Sequence, residues 1–328
     1  MHESAAAPRI VSLLPAATEI AAALGLAPQL VGRSHECDTP PEVASLPALT
    51  ATRIDTSASS RGIHEQVGRT LSAPAAGGTC AAGAAPPLYT LDVDRLAALA
   101  PDLVLTQAAC DVCAVSAADV SAAVERAGVG TRVLALAPRT LADLLDDVVA
   151  VGAATGRLPR AREVAARLRA RIDSVACRSR ALARRTGAAA PRVAMIEWLD
   201  PPMAAGNWMP GMVRLAGGID VLDRGGGAAS HWIGWDDVAA ADPDVVVLLP
   251  CGFELDRVVA EAATPAVRPH LARLRAVREG RAFAVDGHHL FNRPGPRLVD
   301  SLEVLAAILH PGSFAFPAVR RHVARLSE

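Results

Sequence analysis

Two stretches of this sequence echo one another: Ala100-Pro-Asp-Leu-Val-Leu-Thr-Gln-Ala-Ala-Cys110 and Asp242-Pro-Asp-Val-Val-Val-Leu-Leu-Pro-Cys251. Each reads as a Pro-Asp turn, a short apolar run and a cysteine just beyond it. An apolar run without polar alternation predicts a strand buried on both faces, as in parallel sheets covered by helices. Ligands of open α/β sheets bind past the carboxyl ends of such strands. The echo therefore predicts two similar α/β lobes, each carrying a cysteine at its binding edge, with the two edges meeting at one cleft.

The rest of the chain extends this pattern. Ile10–Leu14 predicts a first strand, and Pro15 opens a helix over Ala16–Leu24 that Gly25 closes. Further strands are expected at Leu30–Gly32, Leu103–Thr106, Val133–Leu136, Val193–Ile196, Val245–Leu249 and Ala282–Val285. Thr140 with Asp143 three residues later is a capping-box start for a helix that Gly156 ends. From Pro159 to about Arg185, Ala161, Val164, Ala165, Leu168, Ile172, Val175 and Ala176 keep helical spacing while arginines fill the other faces. At 1.5 Å per residue this helix is about 40 Å long. It reads either as an ordinary surface helix or as a strut between lobes, and its place at mid-chain favours the strut. The Ala/Gly/Ser/Pro-rich segment Ser57–Pro87, with Cys80, reads as a loop.

Composition narrows the function. The 328 residues carry 33 basic and 34 acidic side chains, so no electrostatic footprint for nucleic acid exists. Half of the residues are hydrophobic, which excludes a disordered chain. No apolar run is long enough to span a bilayer. The opening Met1–Ile10 has neither a basic nor an apolar leader region, so a cytoplasmic location is expected, or a periplasmic or extracellular one if the start lies elsewhere. Aromatics make up only 3% of the chain, yet Trp198, Trp208, Trp232 and Trp235 fall in one short stretch. Large flat side chains of this kind suit a planar ligand in an apolar site. The other reading is ordinary core packing.

Four places concentrate chemistry, each at an expected strand end or turn: His35-Glu36-Cys37-Asp38; Gln107 with Cys110 and Cys113; Glu197-Trp198 continuing to Trp208; and Cys251-Gly252-Phe253 with His288-His289, Phe291 and Arg293. Cys110-x-x-Cys113 admits three readings. Together with Cys37 and Cys251 it could complete a four-sulfur set for Zn, Cu(I) or an iron–sulfur cluster. It could be a redox dithiol of lowered pKa, and hence the centre of a thiol redox enzyme. It could also be two small residues in a tight turn. His35 is either a metal ligand or a hydrogen-bonding loop residue. His288 and His289 are either a polar turn or an axial or hydrogen-bonding contact to a bound ligand. No nucleophile elbow, Walker loop or HExxH motif occurs, and no pair of carboxylates suggests acid–base work, so no catalytic residues are assigned.

At these residues the chain resembles the helix-strut (class III) solute-binding proteins of ABC transporters, and within them the cobalamin-binding branch. The resemblance rests on Ile10-Val-Ser-Leu-Leu-Pro-Ala-Ala-Thr-Glu19, Val31-Gly-Arg-Ser-His-Glu-Cys-Asp-Thr-Pro-Pro41, Leu99-Ala-Pro-Asp-Leu-Val-Leu105, Ala216-Gly-Gly218 and Phe291-Asn-Arg-Pro-Gly-Pro-Arg297. It implies an α/β fold of two Rossmann-like lobes joined by one long helix, with lobes at 1–156 and 188–328 and the helix at 157–187. It also implies a monomeric, non-enzymatic protein that holds a metal-containing ligand between the lobes, a corrinoid by default, and hands it to an ABC permease. His35, Glu36, Gln107, Trp198, Trp208, Trp232, Trp235, Phe253, His288, His289, Phe291 and Arg293 would then line the cleft. The N-terminal stretch departs from the branch, because Tyr89 is its single aromatic and His35, Cys37, Cys110 and Cys113 stand where corrin-cradling aromatics are expected. The alternative on the same fold is a cytoplasmic protein holding a metal ion or cluster through Cys37, Cys110, Cys113 and Cys251.

Overall fold

The computed structural model describes residues 7–72, 87–108, 115–128, 130–225, 227–316 and 319–326. The chain forms two compact units. The first comprises Met1–Ala58, Gly62–Ala137 and Asp146–Ala165; the second comprises Ser59–Arg61, Pro138–Leu145 and Ala166–Glu328.

In the first unit, β1 (Ile10–Ser12) leads through Pro15 into α1 (Pro15–Ala23), and β2 (Leu30–Arg33) follows. A hairpin-like pair, β3 (Thr50–Thr52) with the later strand β4 (Tyr89–Leu91), is antiparallel. Between them in the chain lies α2 (Ser60–Ser72), a helix in a segment that composition reads as loop, whose first two residues belong to the second unit. Its start is fixed by a distant carboxylate: Glu261 Oε1 accepts from Ser60 N at 2.8 Å and from Ser60 Oγ at 2.5 Å, and a residue 201 positions away leaves no local signal. α3 (Val93–Leu99), β5 (Leu103–Gln107), α4 (Ala117–Ala127) and β6 (Arg132–Leu136) complete the pattern. The sheet runs β2-β1-β5-β6 with every pair parallel. Ile10, Val11, Val104 and Leu105 are fully enclosed, as strands covered on both faces must be.

α5 (Leu141–Ala154) starts as its capping box dictates: Thr140 Oγ1 accepts from Asp143 N at 3.2 Å, and Asp143 Oδ2 accepts from Thr140 N at 2.9 Å. Gly156, at φ +69°, follows its end. α6 (Leu158–Thr186) is 29 residues long, and its stripe Ala161, Val164, Leu168, Ile172, Val175 and Ala176 is buried. The division between the units falls within this helix.

The second unit is built on β7 (Arg192–Leu199), β11 (Val245–Leu248) and β12 (Ala282–Val285), three parallel strands in contiguous register. Antiparallel strands extend the sheet: β8 (Pro202–Ala204) and β10 (His231–Trp232) on one side, β13 (Val323–Leu326) on the other. β9 (Ile219–Asp220) pairs with the start of β7. The helices α7 (Met209–Leu215), α8 (Trp235–Ala240), α9 (Leu255–Ala262), α10 (Arg268–Ala272), α11 (Arg275–Arg278) and α12 (Leu298–Leu309) connect and cover these strands. Val193 to Ile196 and Val245 to Leu249 are solvent-free, so the apolar runs of the sequence are the centre of this core. Among the described residues, no helix is long and apolar enough to cross a membrane.

Candidate functional site

In the first unit the carboxyl ends of β1 and β2 deliver Ser12-Leu13-Leu14 and Ser34-His35-Glu36-Cys37 to one edge of the sheet. Cys37 is 1% exposed. Its Sγ lies 3.0 Å from Thr18 Oγ1 and 3.3 Å from Ser34 Oγ, and Thr18 Oγ1 lies 2.8 Å from Ser12 Oγ. These hydroxyls knit the two strand ends to α1 and enclose the thiol. His35 caps the same edge: its backbone N–H donates to Thr50 Oγ1 at 3.1 Å, and its Nδ1 lies 2.7 Å from the same oxygen. The Tyr89 ring is tilted against the imidazole at 5.7 Å. Burial lowers the His35 pKa, Glu36 opposes that shift and Arg33 adds to it. Gln107 ends β5, buried, with a bridge to Ser116. The hollow among Ser34, His35, Thr50 and Tyr89 holds about 10 Å³, room for no more than a water.

In the second unit the carboxyl ends of β7, β11 and β12 deliver Glu197-Trp198, Cys251-Gly252-Phe253 and Asp286-Gly287-His288-His289. The Trp198 indole donates to the Ser60 carbonyl at 3.1 Å and packs edge-on against Phe253 at 5.3 Å. The Arg257 guanidinium lies 3.6 Å over the other ring of this pair, Phe253. Glu197 Oε2 accepts from Ser230 Oγ at 2.6 Å. The Trp208 indole donates to the Phe291 carbonyl at 2.9 Å. Trp232 is 52% exposed on β10, whereas Trp235 opens α8 in a buried position, its indole stacked on His270.

Asp286 organises the histidine turn. Its Oδ1 accepts from the backbone N–H groups of His288 at 3.0 Å and His289 at 2.7 Å. Its Oδ2 lies 2.9 Å from His289 Nδ1 and 3.1 Å from His322 Nδ1. Burial alone raises this carboxyl, but the hydrogen bonds from His289 and His322 outweigh it and hold Asp286 well below the usual carboxylate range. Arg293 Nη2 lies 2.8 Å from His288 Nε2. A guanidinium only donates, so that nitrogen is an acceptor and the His288 ring is fixed in orientation. The two rings meet edge-to-face with centroids 4.6 Å apart. Gly287 is required by close approach, since a Cβ there would lie 2.2 Å from the Pro250 carbonyl oxygen.

The turn brings His288, His289, Phe291 and Arg293, which the sequence singles out, together with Asp286 and His322, which it does not. Asp286 stands two residues before the histidines, the position of an Asx-type turn, so its signal was present. His322 enters from the far edge of the sheet and carries none. The four-cysteine centre receives no support: Cys37 is enclosed by hydroxyls, Cys251 is half-buried, and Cys110 and Cys113 lie outside the described residues, as does Cys80. The reading of Cys110-x-x-Cys113 as a redox dithiol lies outside them too. Cys177 is exposed on α6.

Two α/β units, a long mid-chain helix and polar side chains gathered at strand carboxyl ends form the kind of frame on which open α/β sheets hold ligands. The chain belongs to the periplasmic binding protein family, whose model matches residues 10–288. Among solved structures it is similar to a periplasmic haem-binding protein of Pseudomonas aeruginosa, at TM-score 0.71 and 23% identity over 98% of both chains. It is also similar to the periplasmic vitamin B12-binding protein BtuF of Vibrio cholerae, at TM-score 0.64 and 20% identity over 92% of this chain and 96% of that one. The periplasmic haem-binding protein RhuT of Roseiflexus sp. RS-1 matches at TM-score 0.64 and 24% identity over 94% and 99%. These likenesses concern the fold. No curated protein matches the sequence.

The family corrects one expectation. The first ten residues suggested a cytoplasmic location, but the family and all three of these relatives are periplasmic binding proteins, which points to the periplasm. Met1–Ile10 holds mostly small and polar side chains, which by themselves set no compartment.

Proposed function

We propose that this protein captures a metal-bearing macrocycle of the corrin or porphyrin kind and delivers it to an ABC permease, acting by binding rather than catalysis. The observation that carries this reading is the histidine turn beyond β12. Asp286 orients the His289 ring through Nδ1, which is how imidazoles offered to metals are held, by a carboxylate on the other nitrogen. Arg293 holds its neighbour His288. The indoles of Trp198 and Trp208, each tied down by a backbone carbonyl, add rigid apolar surface in the same unit. His35, Glu36 and Gln107 from the edge of the first unit, with Trp232, Trp235, Phe253 and Phe291 from the second, are proposed contacts of lesser weight. The named relatives, which bind haem or vitamin B12, support a metal-containing ligand without choosing between the two.

Calorimetric titration of the full chain with cyanocobalamin, haemin and metal-free protoporphyrin tests the proposal. Saturable one-to-one binding of a metal-bearing macrocycle, and weaker binding of the metal-free one, is expected. Absence of binding to both metal-bearing compounds overturns it.

A further inference from the structure

The second unit carries a cavity of about 500 Å³ between helices, within the range of small-molecule sites. Its floor and sides are α6, α7 and the start of α5. Ile172, Ala176, Pro210 and Leu215 make its walls predominantly apolar, and Trp208 contributes the one aromatic ring among the lining residues. None of the strand-end histidines, carboxylates or cysteines lines it.

Two further observations indicate an occupant. Ser179, 1% exposed, lines the same α6 wall, and among the described residues its hydroxyl has no hydrogen-bond partner. A buried hydroxyl without a partner costs free energy that a bound polar group would recover. The charged residues of the lining are Arg169, Arg180 and Arg214 against Asp173 and Asp223, an excess of positive charge. Arg214 Nη1 is only loosely engaged, 3.8 Å from Asp223, and its side chain is 71% exposed. A guanidinium in that state can take a carboxylate or sulfonate in two-pronged fashion at little rearrangement.

We infer that this cavity is a second small-molecule site, which takes an amphipathic organic anion: its apolar body lies between α6 and α7, and its acid group meets Arg214 at the mouth. The cavity shares Trp208 with the proposed macrocycle contacts, but neither Arg214 nor Ala183 is among those contacts, so substitutions at these two positions leave the strand-end cluster untouched. The full chain is titrated with anilinonaphthalene sulfonate by fluorescence, with dodecanoate and the uncharged dodecanol as competitors. Saturable one-to-one binding is expected, reversed by dodecanoate and not by dodecanol. The Arg214→Gln variant should bind about tenfold more weakly, and Ala183→Trp, an exposed position where an indole covers the mouth, should abolish binding. Both substitutions are on the surface, and a circular-dichroism melt checks that each variant folds. Failure of the wild-type protein to bind, equal competition by dodecanol, or wild-type affinity in either folded variant overturns the inference.

Discussion

Oδ2 of Asp286 and Nδ1 of His289 lie 2.9 Å apart, while Oδ1 of the same carboxylate accepts the backbone N–H of the same histidine. One side chain thus fixes both the main chain and the ring of the residue on which the proposed ligand contact depends. His322, the residue before β13, brings its Nδ1 to the same oxygen.

Asp286→Asn should therefore cost about 2 kcal/mol, the usual loss when a charge-assisted buried hydrogen bond is weakened, as measured by urea unfolding. The pH dependence has a definite sign. The folded-state pKa of Asp286 is depressed, so its stabilisation is fully present above the unfolded value near 4 and is lost as pH falls below it. The wild-type protein should lose stability more steeply than the variant below about pH 4. Parallel profiles for the two proteins would contradict this.

Asp220 behaves in the opposite sense. Burial pushes its carboxyl up to about 7; the Leu222 N–H opposes that shift. Its proton is retained in the folded state across the interval where the unfolded chain has released it, so stability should decline from about pH 4 to about pH 7 and level off above. Asp220→Asn should flatten that decline, read as the urea midpoint at each pH.

Gly287→Ala tests the close approach of the histidine turn to β11. A methyl group 2.2 Å from the Pro250 oxygen and 2.9 Å from the Leu249 oxygen forces the backbone apart. A loss of roughly 2 kcal/mol or more in thermal or urea unfolding is expected, within the upper range for overpacking.

Cys37 and Cys177 should differ sharply towards a thiol reagent. The first is 1% exposed and bonded to hydroxyls, the second exposed on α6. Peptide mapping after brief native labelling should find Cys177 modified and Cys37 untouched until urea is added. Rapid native labelling of Cys37 would reopen its reading as a ligand.

Much of the architecture was legible because its signals are local. The β-branched Val245–Leu248 run behind its Pro-Asp turn reads as a buried strand, and the Thr140/Asp143 pair marked the start of α5 with the hydrogen bonds found there. α2 was not legible, because a Ser/Gly-containing segment has weak intrinsic helicity and its cap, Glu261, comes from 201 residues away. At the site the same division holds. Adjacent histidines announce themselves and Asp286 just before them carries a local turn signal, whereas His322, the residue before β13, reaches the carboxylate only by tertiary approach. Clustered tryptophans in the sequence did not specify roles either: Trp198 and Trp208 are pinned to carbonyls, Trp232 is exposed and Trp235 stacks on His270.

The central claim is metal recognition through an aimed imidazole, and the visible absorption spectrum of the ligand on the protein tests it most directly. Haemin or hydroxocobalamin is added to the wild-type chain and to His289→Ala, with His288→Ala as the comparison. A band shift on binding to the wild-type chain that is abolished by His289→Ala is predicted. A spectrum that is unchanged on binding, or identical in the wild type and His289→Ala, would contradict the account.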